Sequence, residues 1–202
     1  REVANLWTIP HTAPGKVIIG GASNAGGLFL NWANRLVGPS GDGELDPRRV
    51  PVWSPYIRGE RTPFHDPDRR GRLADLDLTH GPAAVRRAAY EAAGFVVRHH
   101  LELGGVDARR IVATGGGTRV AGWMQALADC TGLPVEVAAV PEGAALGAAF
   151  LARMAVGLET SMNDAARWAR TSHTVDPDPT WAAAAADRYV RFLNLAAGPV
   201  DQ

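Results

Sequence analysis

Short apolar runs alternate along this chain with stretches whose apolar residues recur every three or four positions. That alternation is its main structural signal. Residues 16–21 (KVIIGG) form a compact apolar run and predict a buried strand. Ser23 or Asn24 stands where a helix cap is expected, ahead of Leu28, Leu30, Trp32, Ala33 and Leu36, with Gly38-Pro39 as the stop. Residues 38–49 read as a polar connection. Residues 50–57 (VPVWSPYI) carry two prolines and predict an edge strand or an irregular extended segment. Residues 59–72 show neither period and read as a long charged loop, a kind often functional. Thr79 as cap and Pro82 in the first turn then predict a helix to about Leu103, stopped by Gly104-Gly105. Ala88, Ala92, Phe95, Val96 and His99 recur on its buried face.

The second half repeats the grammar. Residues 110–113 predict a strand, Gly115-Gly116-Gly117 a turn and residues 122–131 a helix. Residues 134–140 predict another strand, and residues 142–156 a helix of small residues closed by Gly157. Ser161 and Asp164 stand in capping-box register for a further helix. A final helix is expected from about Thr180 to Ala197-Gly198. The order implies an α/β fold, a central sheet flanked by helices.

Composition narrows the function classes. Lys and Arg together number 21, as do Asp and Glu, so no net charge argues for a nucleic-acid or membrane-surface partner. Cys130 is the single cysteine, which excludes an internal disulfide and a multi-thiolate metal site; it reads as a buried helix residue. The Ala-rich stretches 182–186 and 144–155 are too short or too interrupted to span a bilayer. The start at Arg1-Glu2-Val3, without an initiator Met, reads as part of a longer protein. No His, Cys or Asp cluster has metal-ligand spacing.

Two glycine-rich segments sit between a predicted strand and a predicted helix: residues 20–27 (GGASNAGG) and residues 111–118 (IVATGGGT). Glycine lets the backbone approach a ligand with no Cβ in the way, and the following helix start offers unpaired N–H groups. Neither matches the dinucleotide fingerprint or a Walker loop. A glycine turn between strand and helix is often only a turn. The two together, at the carboxyl ends of strands, point to a nucleotide.

The motifs Asn24-Ala25-Gly26-Gly27-x-x-x-Asn31-Trp32, Gly59-Glu60-Arg61-x-Pro63-x-x-Asp66-Pro67-x-x-Arg70-Gly71, Gly115-Gly116-Gly117 with Trp123-x-Gln125-x-x-Ala128-Asp129, and Glu142-x-Ala144-Ala145-Leu146-Gly147-Ala148-Ala149 follow in that order. Over residues 11–157 the chain resembles the C-terminal lobe of the FGGY carbohydrate kinases, and within them the xylulokinase branch. The resemblance implies an actin-like ATPase fold with a ribonuclease-H-like core, and residues 1–202 as one nucleotide-binding lobe with residues 158–202 its helical extension. It implies ATP with Mg2+, a pentulose such as xylulose as phosphate acceptor, a cytoplasmic location and an optional homodimer. Gly115, Gly116, Gly117 and Thr118 match the adenosine-side turn; Gly27 and Asn31 match the phosphate side. Val120 departs from the Ser or Asn often found there, and Arg119 is its candidate replacement by stacking on adenine. Gln125 and Arg61 are supporting candidates; Gln125 and Asp129 also read as local hydrogen-bonding partners. Glu142 reads as a partner for buried backbone donors. Arg58, Arg61, Arg69 and Arg70 interleave with Glu60, Asp66 and Asp68, which predicts internal ion pairs. The catalytic base and most sugar contacts are expected on an N-terminal lobe outside this chain, so the chain alone is expected to be inactive. The alternative is a stand-alone, non-catalytic nucleotide-binding or interaction domain.

Overall fold

A computed structural model describes residues 2–39 and 45–198. The middle of the expected connection over residues 38–49 lies outside the described residues. Twelve regular elements follow in chain order: β1 (Trp7–Pro10), β2 (Val17–Gly20), α1 (Gly27–Val37), β3 (Val52–Ser54), β4 (Arg72–Ala74), α2 (Pro82–Gly104), β5 (Ile111–Ala113), α3 (Ala121–Thr131), β6 (Val135–Ala138), α4 (Gly143–Ala155), β7 (Thr171–Val175) and α5 (Pro179–Ala197). Single 3₁₀ turns precede α3 (Gly116–Arg119) and β7 (Met162–Arg167).

The described strands lie in three small sheets flanked by helices. β1 and β2 form an antiparallel hairpin, β3 and β4 a second pair, and β5-β6-β7 a mixed sheet in which β5 and β6 run parallel. β7, antiparallel to β6, was not predicted: apolar alternation is absent from its sequence, TSHTV, and its residues are largely exposed. The run 16–21 forms β2 as expected, but not a buried strand. Val17 and Ile18 are 56% and 47% exposed, whereas Ile19, beside the end of α2 at Gly104, is half-buried. The segment around β3 is the reverse case: Val52, Trp53 and Ser54 are all buried, between α2 and α5.

α2 is the spine. Its alanine-rich faces let α1 and α3 approach closely, and α5 closes over β3 and α3. Gly94 makes the closest crossing: a Cβ there would lie 2.8 Å from Cys130 Cβ. One core cluster joins Phe95 and Val96 of α2 to Cys130 of α3 and to Tyr189, Phe192 and Ala196 of α5. A second joins Phe29, Leu30 and Ala33 of α1 to Trp53 and to Ala88, Ala89, Ala92 and Ala93 of α2. Burying one such aromatic side chain contributes about 1.5–3 kcal/mol. Cys130 is fully buried, as its sequence context implied, and burial pushes its thiol well up.

Beneath α5 lies a buried ionic network. Arg188 donates two bonds to Glu91, at 2.6 and 2.7 Å, and a third to Pro47 O at 2.5 Å. Arg87 bridges Glu91 at 2.8 Å and Asp129 at 2.6 Å. Each carboxylate oxygen therefore has a donor, which is the condition for burying such charges.

Capping departs from expectation in two places. Gly26 caps α1 and Gly81 caps α2, neither with a side-chain bond. Ser23 and Asn24 are drawn to Glu60 instead, and Thr79 to Asp77. The capping box of Ser161 and Asp164 is formed, though it opens a 3₁₀ turn. α4 is held loosely: Phe150 is its one buried residue, and Glu142, exposed at its start, makes no capping bond. Among the described residues no helix is long and apolar enough to cross a membrane.

Candidate functional site

The glycine triplet lies where β5 ends. Gly115 takes φ +92°, a left-handed value that favours glycine. Its N–H donates to Pro141 O at 2.8 Å, tying the turn to the start of α4. Its carbonyl accepts from the Thr118 N–H at 3.2 Å and the Thr118 hydroxyl at 2.8 Å, so Thr118 closes the turn on itself. Gly116 projects outward, and a Cβ built there meets nothing within 4 Å. Gly117 is the opposite: a Cβ would stand 2.2 Å from the Trp123 ring. The triplet is thus a shelf with Trp123 beneath Gly117 and open space above Gly116. Val120, 37% exposed, leads into α3 with its carbonyl accepting from Trp123 and Met124. Arg119 is exposed beside it.

The second glycine segment leads from β2 into α1. Gly27 and Asn31 are one helical turn apart and both exposed, so they share an outer face. A Cβ on Gly26 or Gly27 would also meet nothing within 4 Å. α1 has no side-chain cap, which leaves its first-turn N–H groups for solvent or a ligand. Trp123 connects the two segments: it floors Gly117 and packs against the cluster that holds Phe29 and Leu30 of α1.

The loop over residues 59–72 is the part that sequence reasoning described least well. Of the expected internal ion pairs, Arg69 with Asp66 at 3.4 Å is formed. Glu60 pairs with no arginine guanidinium. It is 2% exposed and accepts from Ser23 Oγ at 2.8 Å, Asn24 N at 2.9 Å and Arg61 N at 2.7 Å. Arg70 donates to backbone carbonyls of Pro67 and Arg69. Arg61 Nε donates to Asn24 Oδ1 at 3.2 Å. Gln125 turns away from the triplet; its amide donates to Asp129 Oδ1 at 2.9 Å and Asp176 O at 3.0 Å. Asp129 also accepts from Asp178 N at 2.9 Å, at the start of α5. His99 and His100 are both half-buried. His100 meets Thr62 Oγ1 at 3.0 Å. Burial pushes the imidazole of His99 down. Among the described residues no three His, Cys, Asp or Glu side chains gather as a metal site.

The C-terminal domain of the FGGY family of carbohydrate kinases matches residues 10–156. The chain belongs to that family. It is similar to the xylulose kinase of Escherichia coli strain K12, 34% identical over 145 residues, which are 66% of this chain and 30% of that protein. It is similar to the glycerol kinase of Allorhizobium ampelinum, 34% identical over 189 residues, 85% of this chain and 38% of that protein. Among solved structures, the xylulose kinase from Rhodospirillum rubrum superposes with a TM-score of 0.80 at 30% identity, over 96% of this chain and 42% of that one. The ligand-bound xylulose kinase from Lactobacillus acidophilus has a TM-score of 0.83 at 22% identity, over 96% and 43%; at that identity it bears on the fold alone. The chain therefore spans about a third of the curated relatives' length and less than half of the solved ones. The actin-like ATPase fold expected from the sequence is the one these structures share with it.

Proposed function

We propose that this chain is the ATP-binding lobe of a carbohydrate kinase that transfers the γ-phosphate of ATP to a sugar hydroxyl, with a pentulose such as xylulose as acceptor. The observation that carries the reading is the pair of unobstructed glycine surfaces, Gly115-Gly116 and Gly26-Gly27, joined through Trp123. Adenosine lies along Gly115, Gly116 and Gly117, with Thr118 holding the turn and Val120 offering apolar contact in place of a hydrogen bond. The phosphates lie toward Gly27 and Asn31, where α1 presents its uncapped N–H groups. Arg61 is the cation for that side. Gln125 supports the site at one remove, by fixing α3 against α5 through Asp129.

Phosphoryl transfer relies on positioning and on charge placed around the transferred group. This lobe supplies the first for the nucleotide and part of the second. Among the described residues the buried carboxylates Glu60, Glu91, Asp129 and Glu159 are each taken up by protein donors, which leaves no buried carboxylate free for an attacking hydroxyl. Among the described residues no side chains gather as a metal site, and Mg2+ would be held by the nucleotide phosphates, where it would neutralise their charge.

The test is calorimetric titration with ATP, together with a coupled assay over a panel of sugars. The chain is expected to bind ATP weakly and to phosphorylate nothing alone. Absence of ATP binding, or turnover of any sugar by residues 1–202, would contradict the proposal. A stand-alone binding domain predicts instead that no longer form of the protein phosphorylates a sugar.

A further inference from the structure

The three residues Glu60, Arg61 and Thr62 hold the segment that leads into α1. Glu60 reaches Ser23 Oγ and Asn24 N across 37 and 36 positions of sequence. Thr62, fully buried, donates its N–H to Ala22 O at 3.3 Å and its hydroxyl lies 3.2 Å from the same carbonyl. Thr62 also fills the space beside Gly21, where a Cβ would stand 2.1 Å from its Oγ1. Four consecutive residues, Gly21 to Asn24, are thereby clamped from one side. Asn24 is clamped twice, since its Nδ2 also donates to the Arg58 and Gly59 carbonyls at 3.3 Å. Its remaining oxygen accepts from Arg61 Nε. Among the described residues the terminal nitrogens of Arg61 make no protein bond, and the residue is exposed.

We propose that Glu60 is a positioning residue for the nucleotide phosphates: it fastens the Glu60–Thr62 segment to Ser23 and Asn24, and so holds the Arg61 guanidinium on Asn24, three residues before the start of α1, with its free nitrogens turned to the phosphate chain. The inference rests on the reading of Gly27 and Asn31 as the phosphate side. A buried carboxylate with three donors is a stiff fixture, because each donor lost reduces what offsets the cost of burying it. A planar guanidinium with one edge fixed keeps its fork for a phosphate.

The experiment compares ATP and adenosine binding by calorimetry in the wild-type chain, in Glu60→Gln and in Asn24→Ala. The second variant frees Arg61 without disturbing a buried charge, which covers the case in which Glu60→Gln fails to fold. The expected result is an ATP affinity lower by about tenfold in each folded variant, with adenosine affinity within about twofold of wild type. A merely structural role would weaken both ligands alike, and that outcome, or an unchanged ATP-to-adenosine ratio, overturns the inference alone. Wild-type chain that binds neither ligand overturns this inference and the proposed function together.

Discussion

At the residue scale, glycine was the legible signal and charge was not. The triplet 115–117 could be read as a bare turn between strand and helix, because missing side chains are visible in a sequence. Glu60 could not. Its partners lie 36 and 37 positions away, so in sequence it shows only as one charge among several. Val120 was marked as a departure from the family pattern, and the structure leaves it half-exposed at the shelf with no polar group to offer. His99 carries a prediction of its own. Its Nδ1 is buried without a partner, and burial holds its imidazole below the ordinary value of 6.5. As pH falls through that value the unfolded chain takes a proton that the folded chain resists, so the folded state loses stability toward acid. His99→Gln is expected to flatten the difference between denaturant midpoints at about pH 7.5 and about pH 5.5. An unchanged difference would show that His99 is not the group responsible.

At the element scale, helices were located to within a few residues and their caps were not. Ser23 and Thr79 have the right chemistry for N-caps, but other acceptors nearby took them: Glu60 for Ser23, Asp77 for Thr79. β7 escaped because an exposed five-residue edge strand has no apolar alternation to read. The contact of α2 with α3 depends on Gly94. Alanine there would gain about 1 kcal/mol of helix propensity and lose about 1–3 kcal/mol to overpacking against Cys130 and the Ala126 carbonyl, so Gly94→Ala is expected to lower the melting temperature. A rise would mean the helices separate freely. The ionic network of α2, α3 and α5 predicts a larger effect. Arg188→Met strands part of Glu91 and is expected to cost about 3 kcal/mol in denaturant unfolding. Adding Glu91→Gln to that variant should recover part of the loss; strict additivity would mean the two residues do not act as a pair.

At the scale of the molecule, the α/β class with sheet flanked by helices was readable from the order of runs and periods, but the division of the strands among sheets was not. The described strands fall into three sheets, and the β1-β2 hairpin keeps Trp7, Ile9, Val17 and Ile18 exposed. A run such as KVIIGG encodes a strand; whether its face is covered depends on elements that the run itself does not specify. The same holds for α4, a helix of small residues which among the described residues packs chiefly through Phe150. What all three scales share is the placement of two bare glycine surfaces around Trp123. The most direct test of the account is ATP titration of Gly116→Leu beside the wild-type chain. Because a side chain at Gly116 meets nothing in the fold, the variant should melt within about 1 °C of wild type, by the small effect usual for surface substitutions, while ATP binding is lost. A folded Gly116→Leu chain that binds ATP as the wild type does would contradict the account.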